Sequence, residues 1–318
     1  MKNIIENKAK GKRQKAKRTS NSGLLFPVFL LLFSSILFTS CEDVIDVKLS
    51  DENLNLIGVE ASITTHNQPS VFLYKTLQVD QDVTYPGISG AVVTISDDAT
   101  PSNSMILKED PSKPGHYSVP TGKEYLGATG REYTLTIQTE GVTLTAKDKL
   151  YKVEPIDSMI VEPSLRGNKR FLGIFTYGKE PKGHGNYYKW DIYVNDKLIH
   201  EADRLAVASD EFVDGNYISK LEIFTDFYDT AKPEDRKLKL NDKIQVKQTS
   251  ISKFAYDFYF QMINQGSTGG LFSVPPANLP SNFTSSDGKP VLGLFTARDI
   301  SESNTVIIDQ NIEDQLKK

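Results

Sequence analysis

The residues able to do chemistry in this 318-residue chain are few: one cysteine, four histidines and several groups of carboxylates. The cysteine is the best placed of them. Cys41 follows the apolar run Leu24 to Phe38 and the small residues Thr39 and Ser40, with eight Lys/Arg upstream between Lys2 and Arg18. A basic lead, an apolar stretch and a small-residue junction are the parts of a secretory signal. A cysteine at that junction is the thiol that bacterial lipoprotein processing links to diacylglycerol and leaves as the new N-terminus. Two acyl chains anchor a protein stably, whereas one holds it only reversibly. The spacing therefore predicts lipidation at Cys41, loss of residues 1–40 as a signal peptide, and a tether over residues 41–52. The 15-residue run reaches about 22 Å as a helix, short of a bilayer core of roughly 30 Å, and Pro27 interrupts it. The alternative is an N-terminal anchor that stays attached.

Beyond Cys41 the candidates thin out. A single cysteine excludes a disulfide framework, a multi-cysteine zinc site and a redox pair. His66, His116, His184 and His200 are too dispersed in sequence to nominate a triad or a metal site. Asp210-Glu211 with Asp214-Gly215 could hold calcium, but the segment lacks the alternation and terminal Glu of an EF-hand loop, and a solvated turn is the competing reading. Asp226, Asp229, Glu234 and Asp235 form a second acidic patch. No nucleophile elbow, zinc-protease motif or phosphate loop occurs, so the expectation is a protein that is not an enzyme, with no catalytic residues, no cofactor and no metal. Ser158 in Asp157-Ser158-Met159 and Thr230 in Asp229-Thr230-Ala231 fit a three-residue O-glycosylation pattern used in bacterial envelopes. Of the 37 basic and 41 acidic side chains, eight and one lie in residues 1–40, which leaves 29 against 40 beyond them. An acidic body argues against a nucleic-acid partner, because phosphate binding needs a basic face.

The elements that carry these residues read as strands. Val59, Ala61 and Ile63 alternate with Gly58, Glu60 and Ser62, and Tyr133, Leu135 and Ile137 alternate with Thr134, Thr136 and Gln138. Val142, Leu144 and Ala146 continue the period of two after a loop at Thr139-Glu140-Gly141, which marks a hairpin. About seven such strands over residues 53–152 predict an immunoglobulin-like or fibronectin-like antiparallel sandwich, with Leu135 and Leu144 in its core. Pro155 suggests a boundary, after which residues 153–318 read as a second β-sandwich-like domain. There Tyr188, Trp190 and Ile192 point inward. Ile251, Phe254, Ala255, Phe258 and Met262 recur at helical spacing, predicting one helix near residues 252–265. The stretch from Gly266 to Pro290 has no period. It reads either as a strap closing the sandwich or as a partner-contact loop presenting Asn278, Ser281 and Asn282.

The ordered motifs resemble a family of Bacteroidota envelope lipoproteins, domain of unknown function 4249. They run from Cys41 and Leu56–Ile63 through Ala91-Val92-Val93-Thr94-Ile95, Gly115-His116-Tyr117 and Gly130 to Leu135. They continue through Pro155-Ile156-Asp157-Ser158, Asn186-Tyr187-Tyr188 and Asp214-Gly215 to Phe272-Ser273-Val274-Pro275-Pro276-Ala277-Asn278 and Leu292-Gly293-Leu294-Phe295. Phe283 and Leu294 depart from the usual aliphatic residue and Tyr at their positions. Glu42, Asp43 and Asp46 similarly resemble the acidic export signal for surface lipoproteins of that phylum, or else form a solvated tether. The resemblance implies an outer-membrane, lipid-anchored protein that is surface-exposed or periplasmic. It implies an accessory or ligand-capture role beside a TonB-dependent receptor in nutrient uptake, and supplies no binding residues. A structural or adhesive surface protein is the alternative.

Overall fold

The computed structural model describes residues 56–76, 85–201, 204–228, 236–266 and 279–317. Cys41, the signal, the tether, Thr230 and Asn278 lie outside them. The protein is mostly β. Strands β1 (Ile57–Thr64), β2 (Ser70–Lys75), β3 (Val92–Asp97), β4 (Ser104–Glu109), β5 (His116–Ser118), β6 (Glu132–Thr139) and β7 (Val142–Lys149) arise from the first half. Alternation decides which face each residue takes: Val59, Ile63, Leu73, Val93, Leu135, Ile137 and Leu144 are fully buried in one core. The β6–β7 hairpin turns on two residues, Glu140 and Gly141, with φ of 47° and 78°, one shorter than the loop read from the sequence. Positive φ at both positions is what a tight hairpin turn with strand-compatible twist requires.

Two strands from far along the chain complete this sheet. β15 (Phe283–Ser285) pairs with β7, and β16 (Val291–Arg298) pairs in parallel with β1, giving the order β15-β7-β6-β3-β4-β5-β2-β1-β16. Phe283, Val291, Phe295 and Ala297 enter the first core, which thus draws on residues from both sides of the expected boundary near Pro155. The sheet folds back on itself until its ends meet. Asn282 joins them as a peptide group would: its amide donates to the carbonyls of Phe295 (2.8 Å) and Lys147 (3.2 Å), and its carbonyl accepts the Phe295 N–H (3.0 Å). Asp148 on β7 accepts the Ala297 N–H at 2.8 Å. One close backbone approach is also required here. A Cβ on Gly293 would sit 1.9 Å from the Val59 carbonyl oxygen.

The second core lies between two smaller sheets. One holds β8 (Ile156–Arg166), β9 (Lys169–Lys179) and β13 (Tyr217–Tyr228) in the order β13-β9-β8. The other centres on β10 (Tyr187–Val194) and β14 (Lys243–Ile251), extended by β11 (Lys197–Leu198), β12 (Ala206–Ser209), β17 (Ile300–Glu302) and β18 (Val306–Ile307). Trp190, Ile192 and Tyr188 face inward with Leu172, Ile174 and Val246. Helix α1 (Lys253–Gly266) begins where Ser252 Oγ accepts the Ala255 N–H at 3.2 Å, an N-cap. Ala255 and Phe258 are buried with Ile251 and Leu294, whereas Phe254 of the expected stripe is exposed. A second helix, α2 (Gln310–Lys317), is absent from the sequence reading. It is capped by Asp309 and buries Leu316 in the second core. No helix among the described residues is long and apolar enough to cross a membrane.

Candidate functional site

The outward residues of the first sheet make one wall of a groove. Because β1, β2 and β5 are adjacent, the alternation that buries Val59, Val71 and Tyr117 turns Glu60, Phe72 and His116 to the other face. Phe72 stacks on His116 with ring centres 4.3 Å apart and planes 11° from parallel, and on Tyr74 at 4.9 Å. Tyr85 continues the row at 4.8 Å from Tyr74. Gly58 permits this arrangement, since a Cβ there would lie 2.4 Å from the Tyr74 ring. Burial, with the charge of Glu60 and the neighbouring Tyr85, pushes the Tyr74 hydroxyl up to about 12.

The opposite wall is α1, through Phe258, Tyr259, Met262 and Gln265, and the volume of this open groove is about 980 Å³. That lies at the upper end of ordinary ligand pockets, which run from about 300 to 1,000 Å³. Charged groups of both signs line it: Glu60, Asp110, Lys113 and Arg298. Arg298 also reaches a buried charge cluster behind the groove. Its Nη1 lies 3.5 Å from Asp191, which forms a hydrogen-bonded ion pair with Lys189, and its Nε is buried with no partner among the described residues. Burial lowers the Lys189 ammonium despite Asp191, and the Lys189 Nζ sits 5.3 Å from the Tyr259 ring centre.

The residues singled out from sequence fall in separate places. Ser158 is half-buried on β8, where it pairs with Tyr177. Ser281 is half-buried, its hydroxyl accepting the Phe283 N–H at 3.3 Å, and the Asn282 amide is committed to closing the sheet. Asp226 is buried and accepts the N–H groups of Lys237 and Leu238, a loop-fixing role, while burial raises its carboxyl. The structure brings His184 to Asp210 and Asp214, with one donor atom from each within 4.8 Å of the others. Sequence spacing had coupled the two acids but not the histidine. The groove was missed altogether, because its walls come from strands and a helix that are remote in sequence; the alternation of Glu60 and Phe72 was its one visible signal.

Residues 42–304 match a protein family described as Domain of unknown function (DUF4249). A comparison with curated proteins finds no match.

Proposed function

This chain belongs to the family of domain of unknown function 4249, and from that premise we propose that it is a non-catalytic outer-membrane lipoprotein that captures a ligand as the accessory of a TonB-dependent receptor in nutrient uptake. The lipid sits on Cys41, and residues 41–52 tether the folded body to the membrane. The observation that carries the reading is the groove. It offers about 980 Å³ bounded by a sheet and a capped helix. Its lining combines aromatic edges with carboxylates and cations, groups suited to holding a polar organic molecule. Support for the anchor comes from the single cysteine behind a short apolar run.

Purification from native membranes in mild detergent tests the proposal. A diacylated Cys41 terminus by mass spectrometry, together with a co-purifying receptor of the TonB-dependent class, is the expected result. A free Met1, or recovery of the protein without any receptor, overturns it. Met262→Arg, which places a cation in the groove, is expected to leave membrane attachment intact and to abolish ligand recovery.

A further inference from the structure

A second site lies on the other side of the molecule's chemistry, in the second core. Glu180 follows β9 and is 3% exposed. Its Oε1 accepts the Tyr188 hydroxyl at 2.8 Å and the Asn186 amide at 3.3 Å, while no described group donates to Oε2. The same Asn186 amide donates at 3.2 Å to Asp210, which is 2% exposed and also accepts the Gly185 N–H at 3.0 Å. Neither carboxylate has a Lys or Arg partner among the described residues. Buried charges are ordinarily paired, because desolvation is too costly to leave uncompensated. Burial, reinforced by the neighbouring charges of Asp210 and Asp214, raises the Glu180 carboxyl even though Tyr188 and Asn186 donate to it.

Glu180 opens onto a small cavity of about 120 Å³, walled also by Tyr177, Tyr188, Trp190, Val213 and Leu221. It shares no lining residue with the groove. We propose that this cavity binds a small organic ammonium ion, with its charge met by Glu180 and its alkyl groups held against the aromatic and apolar walls. An anion beside aromatic rings is the chemistry that recognises alkylated ammonium groups, and the one cation of the lining, Lys179, is exposed and makes no ion pair with Glu180. The size agrees: an engineered apolar cavity of about 150 Å³ takes benzene, so this one takes a group as small as trimethylammonium. A metal ion is poorly served inside the cavity: Gln248 is spent on Trp190 and the Glu154 carbonyl, and the other polar lining residues, Thr176, Lys179 and Ser209, add no second carboxylate. The nearby His184, Asp210 and Asp214 set is the place a metal would choose instead.

Trp190 is the only tryptophan in the chain, so its fluorescence reads the cavity directly. Titration of the mature protein with trimethylammonium chloride is expected to give a saturable change in emission, with none from potassium chloride or tert-butanol at the same concentrations. Glu180→Gln is expected to weaken binding at least tenfold, and His184→Ala to leave it unchanged. No saturable response to trimethylammonium overturns the proposal, as does an equal response to tert-butanol, which would mean an apolar hole without charge recognition. A response to calcium or zinc that His184→Ala removes, with none to the ammonium ion, overturns it in favour of a metal site. Should Glu180→Gln fail to fold, the three-probe comparison on the wild-type protein still decides the matter.

Discussion

The two cores are built to different rules. The first is closed by hydrogen bonds around an interior that is almost wholly apolar, with Asp148 its one buried charge among the described residues. Around the second, Glu180, Asp210, Asp226, Arg236 and Glu313 are all buried, and Lys189 is buried on the groove side of the same sheet. Charge in a protein interior costs stability unless it is matched, and it is retained where it fixes a geometry or meets a ligand. The contrast teaches a division of labour: the first core supplies an apolar wall, and the second gathers most of the buried charged side chains of the described residues.

The largest test of that division is the buried pair Arg236–Glu313, whose guanidinium and carboxylate meet through two bonds of 3.0 and 3.1 Å. It ties α2 to the second core. Glu313→Ala takes the two-bonded carboxylate away from a buried guanidinium and is expected to cost about 3–5 kcal/mol in chemical denaturation. A cost below 1 kcal/mol would mean that these charges are solvated and that the cores differ less than their burial suggests.

Leu144→Ala probes the first core and is expected to cost about 2–5 kcal/mol. Because β15 and β16 lie in the first sheet, the loss should shift the Trp190 fluorescence transition of the second core by the same amount as the far-ultraviolet transition. An unmoved Trp190 transition would show two independently folding units.

Asp148 sharpens the comparison through pH. Burial raises its carboxyl to about 6 against the opposing effects of the Ala297 and Lys149 N–H groups, Ser252 and the Arg298 cation. An acid whose folded pKa is raised binds more protons folded than unfolded between about 4 and 6. Its contribution to stability therefore falls as pH rises through that window, by roughly 3 kcal/mol in all. Unfolding free energies of the wild type and of Asp148→Asn, measured at pH 4 and pH 7, should differ by that amount, with the wild type favoured at low pH. Parallel curves would remove Asp148 as a buried acid.

The smallest effect expected is at Asn282. Replacing it with Ala removes the amide that joins the sheet ends and should cost about 1–3 kcal/mol, seen as faster hydrogen exchange at Phe295.

Sequence legibility followed how local each feature is. The pattern around Leu135 and Leu144 could be read because a period of two needs only neighbouring residues to show which face is buried. The helix after Ser252 was legible for the same reason, although Phe254 turned outward because the apolar stripe is wider than the contact that α1 makes. Helix α2 was not, since its eight residues carry too few apolar positions to set a period. The assignment of β16 to the first sheet depends on a pairing partner that no local pattern names. Likewise the groove and the Glu180 cavity exist only once strands distant in sequence are set side by side. The Asn282 contact suggested by the loop composition is a residue whose amide the fold uses internally.

The parallel pairing of β1 with β16 also sets an order in time. Ile57 meets Val291, so the first core has no complete wall until the chain as far as β16 is available. Such distant pairings make assembly slow, because the chain must lose the entropy of a very long loop before the contact returns anything. A nascent chain would carry β1 with one edge bare, a template for unwanted strand addition. Chaperoning of the unfinished chain, rather than the stability of the finished one, is then the step at which this architecture is most vulnerable.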